Sequence, residues 1–209
     1  RAHAPRGDEA LCTLFGELEG GEARYRLGAE AVRNETFRVA PSAVTRWAWD
    51  CAHPRPHASL VQEATARWKV TDSLIYGVMR QESGFRLTVT SPVGAVGLMQ
   101  IMPATAEKIA QELSLGWSET LLTQPEHNIG MGSFYLGKLL WQFGGSVPLA
   151  LAAYNAGPAA VARWQASGSE LPMDVWVARI PYGETREYVA QVFRNALRYA
   201  LLDGGPTAI

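Results

Sequence analysis

The stretch Ile75 to Gln100, IYGVMRQESGFRLTVTSPVGAVGLMQ, constrains this chain more than any other. It sets one carboxylate, Glu82, near the end of an apolar helix. A segment punctuated by Pro92, Gly94 and Gly97 follows and has to turn back towards that acid. Thr71 suits the cap of the helix, Asp72 and Ser73 its first turn, and Leu74, Ile75, Val78 and Met79 recur at helical spacing. Glu82 follows Val78 by four residues and Met79 by three, so its side chain projects towards the apolar face. Desolvation there raises a carboxyl pKa and lets the acid hold a proton near neutral pH.

The remaining periodicity is helical almost throughout. Residues 9–18 and 22–33 read as two helices parted by Gly20 and Gly21, and a third short one follows Pro41 through Trp49. Leu11, Leu14, Phe15 and Leu18 form the expected contact face of the first. Residues 51–58, with Pro54 and Pro56, read as a linker; the prolines also make His53 and His57 a poor metal pair, so no metal site is expected. Helices are then expected over 58–68, from Thr71 to Glu82, and over 103–113, 126–143, 148–154, 158–164 and 184–202, with a short one near Val175. Gln165 to Pro172 reads as a loop, and Gly97 to Met102 as a short strand or extended loop. Gly130, Gly132 and Gly137 permit close packing of the helix that holds them. Tyr188 shares a helix face with Val192, Ala196 and Ala200, which by periodicity alone makes it ordinary core.

Four motifs in register resemble one family. Glu82-Ser83, Gly97-Leu98-Met99-Gln100, Ala153-Tyr154-Asn155-Ala156-Gly157 and Ile180-Pro181-Tyr182-Gly183-Glu184-Thr185-Arg186-Glu187-Tyr188-Val189 look like the catalytic domain of the first family of soluble lytic transglycosylases. The resemblance covers roughly residues 57 to 202. It implies a mostly α, goose-type lysozyme-like catalytic domain over residues 57–209, preceded at 1–56 by a small helical appendage and its proline-containing linker. It implies cleavage of peptidoglycan between MurNAc and GlcNAc, with the MurNAc 6-hydroxyl attacking its own anomeric carbon. Glu82 is then the catalytic acid, supported by Ser83 and by Tyr188, which the motif places near the acid. Gly97, Met99, Gln100, Tyr154 and Asn155 are the expected substrate contacts. No cofactor is implied; the partner is the peptidoglycan glycan strand, and a monomer is expected.

Composition excludes several other roles. The 19 basic and 20 acidic side chains leave a net charge of −1, which gives no field for a nucleic-acid partner. The apolar runs near Leu139 and Leu149 are broken by Gly144, Gly145 and Pro148, short of a membrane span. The chain begins at Arg1 without an initiator Met or an apolar leader, as expected of a processed form or a fragment. Cys12 and Cys51 allow one disulfide or two buried thiols. The resemblance, through a periplasmic or otherwise exported cell-wall enzyme, favours the bond.

Most glycosidases divide their work between two carboxylates, and no Asp or Glu lies between Glu82 and Glu107. A lone acid fits a reaction whose nucleophile belongs to the substrate, although Glu184 and Glu187 sit beside Tyr188. The rival readings are a hydrolytic goose-type lysozyme and a catalytically idle peptidoglycan-binding domain; retention of Glu82-Ser83 speaks against the second.

Overall fold

A computed structural model describes residues 7–18, 20–31, 34–166 and 171–205. Among them are eleven α-helices and no named strand. Three short helices come first: α1 (Gly7–Glu17), α2 (Gly21–Ala31) and α3 (Arg46–Ala52). The body comprises α4 (Ala58–Trp68), α5 (Asp72–Glu82), α6 (Pro103–Glu112), α7 (Pro125–Gln142), α8 (Val147–Ala156), α9 (Pro158–Ala166), α10 (Met173–Ala178) and α11 (Gly183–Leu202). Residues 32–33 of the expected second helix and 167–170 of the expected loop lie outside the described residues.

The helix that carries Glu82 forms for the reasons its sequence suggests. Thr71 is extended, and its hydroxyl accepts the Leu74 amide, satisfying one of the donors that a helix start leaves open. Seven consecutive residues, Ser73 to Met79, are then buried, so α5 is wrapped on every side. Its closest neighbour is α11, along which Tyr188, Val192, Ala196 and Ala200 are all buried. Gly77 makes that approach possible, since a Cβ there would stand 3.1 Å from the Val192 carbonyl oxygen and the Ala196 nitrogen. Helix α7 packs under α4, α6 and α8, and α8 in turn reaches α11. Within α7, Gly132 and Gly137 face Met99 and the Trp68 carbonyl, whereas Gly130 opens onto free space.

The front of the chain departs from its periodicity. Of the expected contact face, Leu11, Leu14 and Leu18 are 44%, 48% and 69% exposed and Phe15 is half-buried, while Cys12 is buried. The reason is covalent: Cys12 is bonded to Cys51, which turns the cysteine side of α1 inward and the leucine side out. The third helix also starts late. Ser42 and Thr45 bond each other's side chains and amides, which occupies the backbone that a helix from Pro41 would use. Helix α3 therefore begins at Arg46 and continues through Cys51, so that cysteine belongs to a helix and not to the linker.

Residues 51–54 are buried rather than exposed, and the segment is a packed strap. The Tyr199 hydroxyl donates to the Pro54 carbonyl at 3.0 Å and that of Tyr76 to the Pro56 carbonyl at 3.3 Å. Arg55 pairs with Asp72 at the start of α5 and with Asp203 just beyond α11. The His53 ring stacks on Trp49 and meets Tyr199 edge-on; burial pushes its pKa down to about 3, which keeps it neutral.

The 39-residue separation of Cys12 and Cys51 gives the bond a chain-entropy contribution of ~3–4 kcal/mol. Urea denaturation of a Cys12→Ser/Cys51→Ser protein should show a stability loss of that order. Alkylation of the non-reduced protein followed by intact-mass measurement should modify neither thiol.

Candidate active site

Glu82 is the last residue of α5, and only a minor part of it reaches solvent. Burial raises its pKa from 4.5 to about 7; the Tyr188 hydrogen bond pulls it down and the exposed Glu184 nearby pushes it up. The negative end of the helix dipole acts in the same direction as burial. The Tyr188 hydroxyl donates to Glu82 Oε1 at 2.6 Å. Since Oε1 accepts that bond, the proton held near neutral pH resides on Oε2, the oxygen left for a ligand. Burial raises the Tyr188 pKa well above that of a free tyrosine, with the Glu82 charge adding to the effect, so the phenol stays a donor.

Ser83 ends the helix with both its ties internal: its hydroxyl lies 3.1 Å from the Met79 carbonyl oxygen and 2.8 Å from that of Leu98. It therefore fixes the turn after the acid to the loop that returns towards it. That loop has isolated bridges, Thr90 to Val96 and Val96 to Ile101, in place of the short strand that its alternation allows.

The loop residues expected to touch substrate also hold the loop. Met99 has no exposed surface: its amide donates to Asn128 Oδ1 at 2.8 Å, its carbonyl accepts the Tyr154 hydroxyl at 2.9 Å, and its thioether fills the space above Gly132. Gly97 is buried at φ +82°, and a Cβ there would stand 2.2 Å from Asn128 Nδ2 and 2.4 Å from the Leu122 carbonyl oxygen. Protein, not ligand, demands glycine at this point. Gln100 turns its amide nitrogen back onto the Gly97 and Val89 carbonyls at 2.9 and 3.2 Å. Asn155, at the end of α8, accepts the Thr185 hydroxyl at 2.6 Å on Oδ1, and its Nδ2 has no hydrogen-bond acceptor among the described residues. Tyr154 packs against Tyr135 at 5.6 Å between centroids; burial raises its pKa well above that of a free tyrosine, and the Glu82 charge adds to the effect.

Sequence reasoning did not single out Asn128 or Tyr135, and it gave Thr185 no part of its own in the site. Asn128 is fully buried and makes three hydrogen bonds that clamp the return loop: to Met99 N, Val96 O and Leu122 O. A polar residue on the inward side of an apolar helix, one position before Ile129, was the available signal.

Residues 59–177 match the family described as Transglycosylase SLT domain. This chain belongs to that SLT family. Over 149 residues it is 39% identical to the soluble lytic murein transglycosylase of Escherichia coli K12, covering 70% of this chain and 22% of the relative. Over 186 residues it is 32% identical to a putative soluble lytic murein transglycosylase of Haemophilus influenzae, covering 86% of this chain and 31% of that protein. Among solved structures, the 70 kDa soluble lytic transglycosylase from E. coli superposes with a TM-score of 0.82 at 28% identity, over 98% of this chain and 32% of that one. An inactive Glu-to-Gln mutant of lytic transglycosylase Slt from Pseudomonas aeruginosa gives 0.79 at 31%, over 93% and 30%. The lysozyme-like, mostly α fold of the SLT domain is thus the fold of this chain, which spans between about a fifth and a third of these relatives.

The raised pKa of Glu82 has a sign for stability. Between pH 4.5 and about 7 the unfolded chain has released this proton while the folded chain keeps it, so stability falls as pH rises through that window. Above about pH 7 the loss is complete. The SLT-domain variant Glu82→Gln lacks the charge and should be more stable than wild type at pH 8 by roughly 1–3 kcal/mol. Urea denaturation at pH 8 and pH 4 checks it; the difference should shrink towards zero at the lower value.

Proposed function

We propose that this chain is a lytic transglycosylase domain that cleaves the bond between MurNAc and GlcNAc of peptidoglycan without water and leaves a 1,6-anhydro end. The observation that carries the reading is Glu82: buried, protonated near neutral pH, and held on one oxygen by Tyr188. The family membership supports it, and the inactive Glu-to-Gln relative agrees with a glutamate as the working group.

In this reading Glu82 Oε2 gives its proton to the leaving glycosidic oxygen as the C1–O4 bond breaks. The 6-hydroxyl of the same MurNAc forms the new C1–O6 bond and returns its proton to the Glu82 carboxylate. No water enters and none is produced. The tethered hydroxyl makes trapping unimolecular, with the high effective molarity of an intramolecular step. Tyr188 is a positioning residue whose hydrogen bond strengthens while Glu82 is an anion. Asn155 Nδ2 is the donor offered to a substrate carbonyl such as the N-acetyl group, and Tyr154 and Gln100 shape the wall beside it. Domain limits at 57–209 and a monomeric state belong to the same proposal, as does export to the cell wall, where the Cys12–Cys51 bond is stable.

A lysozyme with the same acid would instead place a water opposite the leaving group, and Glu184 is the carboxylate nearest to that duty in charge terms. Glu184→Gln should leave anhydro products intact and lower the Glu82 pKa, visible as an earlier loss of kcat/KM on the alkaline side. Glu82→Gln should cut turnover by at least ~10²-fold with the fold preserved, and Tyr188→Phe should lower it without moving the melting temperature. Digestion of purified peptidoglycan followed by mass spectrometry reads the product: anhydro ends weigh one water less than hydrolytic ones and resist borohydride. Reducible, hydrated ends alone would make the domain a hydrolase.

A further inference from the structure

Two hydroxyls on α11 hold side chains of the site. Tyr188 donates to Glu82 Oε1 at 2.6 Å, and Thr185, three residues earlier, donates to Asn155 Oδ1 at 2.6 Å. Residues three apart are neighbours on a helix surface, so one helix grips the end of α5 and the end of α8 together. The Tyr188 bond serves the acid. The Thr185 bond is as short and better buried, since Thr185 is only 2% exposed, and it ends on an amide instead of a titrating group.

An asparagine side chain has two unlike ends: one accepts, the other donates, and a half-turn about its last bond exchanges them. An unrestrained Asn155, half-buried at the end of α8, would offer a ligand either end. The two helix termini remove that freedom. Thr185 lies in the first turn of α11, where N–H groups lack intrahelical acceptors, and Asn155 lies in the last turn of α8, where carbonyls lack donors. Both termini favour Oδ1 on the α11 side, and the Thr185 hydroxyl closes on it there. The amide is planar, so fixing Oδ1 also fixes Nδ2, which has no acceptor among the described residues. A donor held this way suits a carbonyl oxygen. On a glycan strand the acetamido group supplies one, whereas the protonated amine of a de-N-acetylated sugar can only donate.

We infer that Thr185 is a positioning residue: it fixes which end of the Asn155 amide meets the substrate and so makes the site selective for an N-acetylated glycan over one bearing free amines. The inference rests on the peptidoglycan reading above, and its test is a binding measurement that does not depend on the product formed. Calorimetric titration of the Glu82→Gln protein, which turns over slowly, compares a soluble GlcNAc–MurNAc strand with the same strand chemically de-N-acetylated. Adding Thr185→Val keeps the shape of the side chain and removes the donor. It should weaken the N-acetylated strand roughly 10-fold and leave the free-amine strand within about 2-fold, while Thr185→Ser, which keeps a hydroxyl, retains most of the preference. Damage to packing alone would weaken both strands together. With Asn155→Ala already in place, Thr185→Val should have no further effect, because it acts through that amide. Equal affinity for the two strands before Thr185 is changed, a like loss of both in Thr185→Val, or additive losses in the combined variant overturns the inference. Digests by the wild type separate it from the reading it rests on. Hydrated products with the N-acetyl preference intact would overturn the transglycosylase chemistry and leave Thr185 its role; anhydro products without a preference would do the reverse.

Discussion

The approach of α11 to α5 at Gly77 sets the depth at which the acid operates. With helix backbones this close, Tyr188 reaches across to Glu82 and the two helices enclose the carboxyl in apolar surroundings. A larger residue at position 77 would have to push the helices apart, since its first contacts are backbone atoms, and that would lengthen the Tyr188 bond and wet the acid together. Protonation near neutrality is therefore a property of helix packing before it is a property of any single neighbour.

A second constraint works from the other side. The return loop has almost no ladder of its own, and its shape is held by side chains: Asn128 from α7, Tyr154 from α8 and Ser83 from the end of α5. Three helices thus fix one loop at three points around Met99 and Leu98. Such a buried polar clamp specifies one arrangement, because every alternative leaves an amide or carbonyl without a partner.

What was legible in the sequence followed from local rules. The phase of Glu82, the Thr71 cap and the helical periods all depend on spacings of a few residues, and the structure has them. The Tyr188 contact spans 106 positions and was legible only through motif resemblance, since periodicity alone read it as core. Both readings describe it: the ring is buried and the hydroxyl is at the acid. The contacts of Gly97 and Met99 with Asn128 were not legible, because that partner is supplied by a distant helix. The leucine stripe of α1 misled for a related reason, as a covalent bond overrode an amphipathic pattern.

The disulfide also determines how the molecule can come apart. With Cys12 held to Cys51, α1 cannot peel away by itself, and α2 lies in the loop that the bond closes. The first three helices are therefore linked as one unit, and because Tyr25 belongs to it, amide exchange in α1 to α3 should track exposure of the turn at Gly84. The bond thus ties α1 to the end of α3, where the buried strap at residues 51–54 leads into the body, and the turn that follows the acid leans on a ring held inside that closed loop.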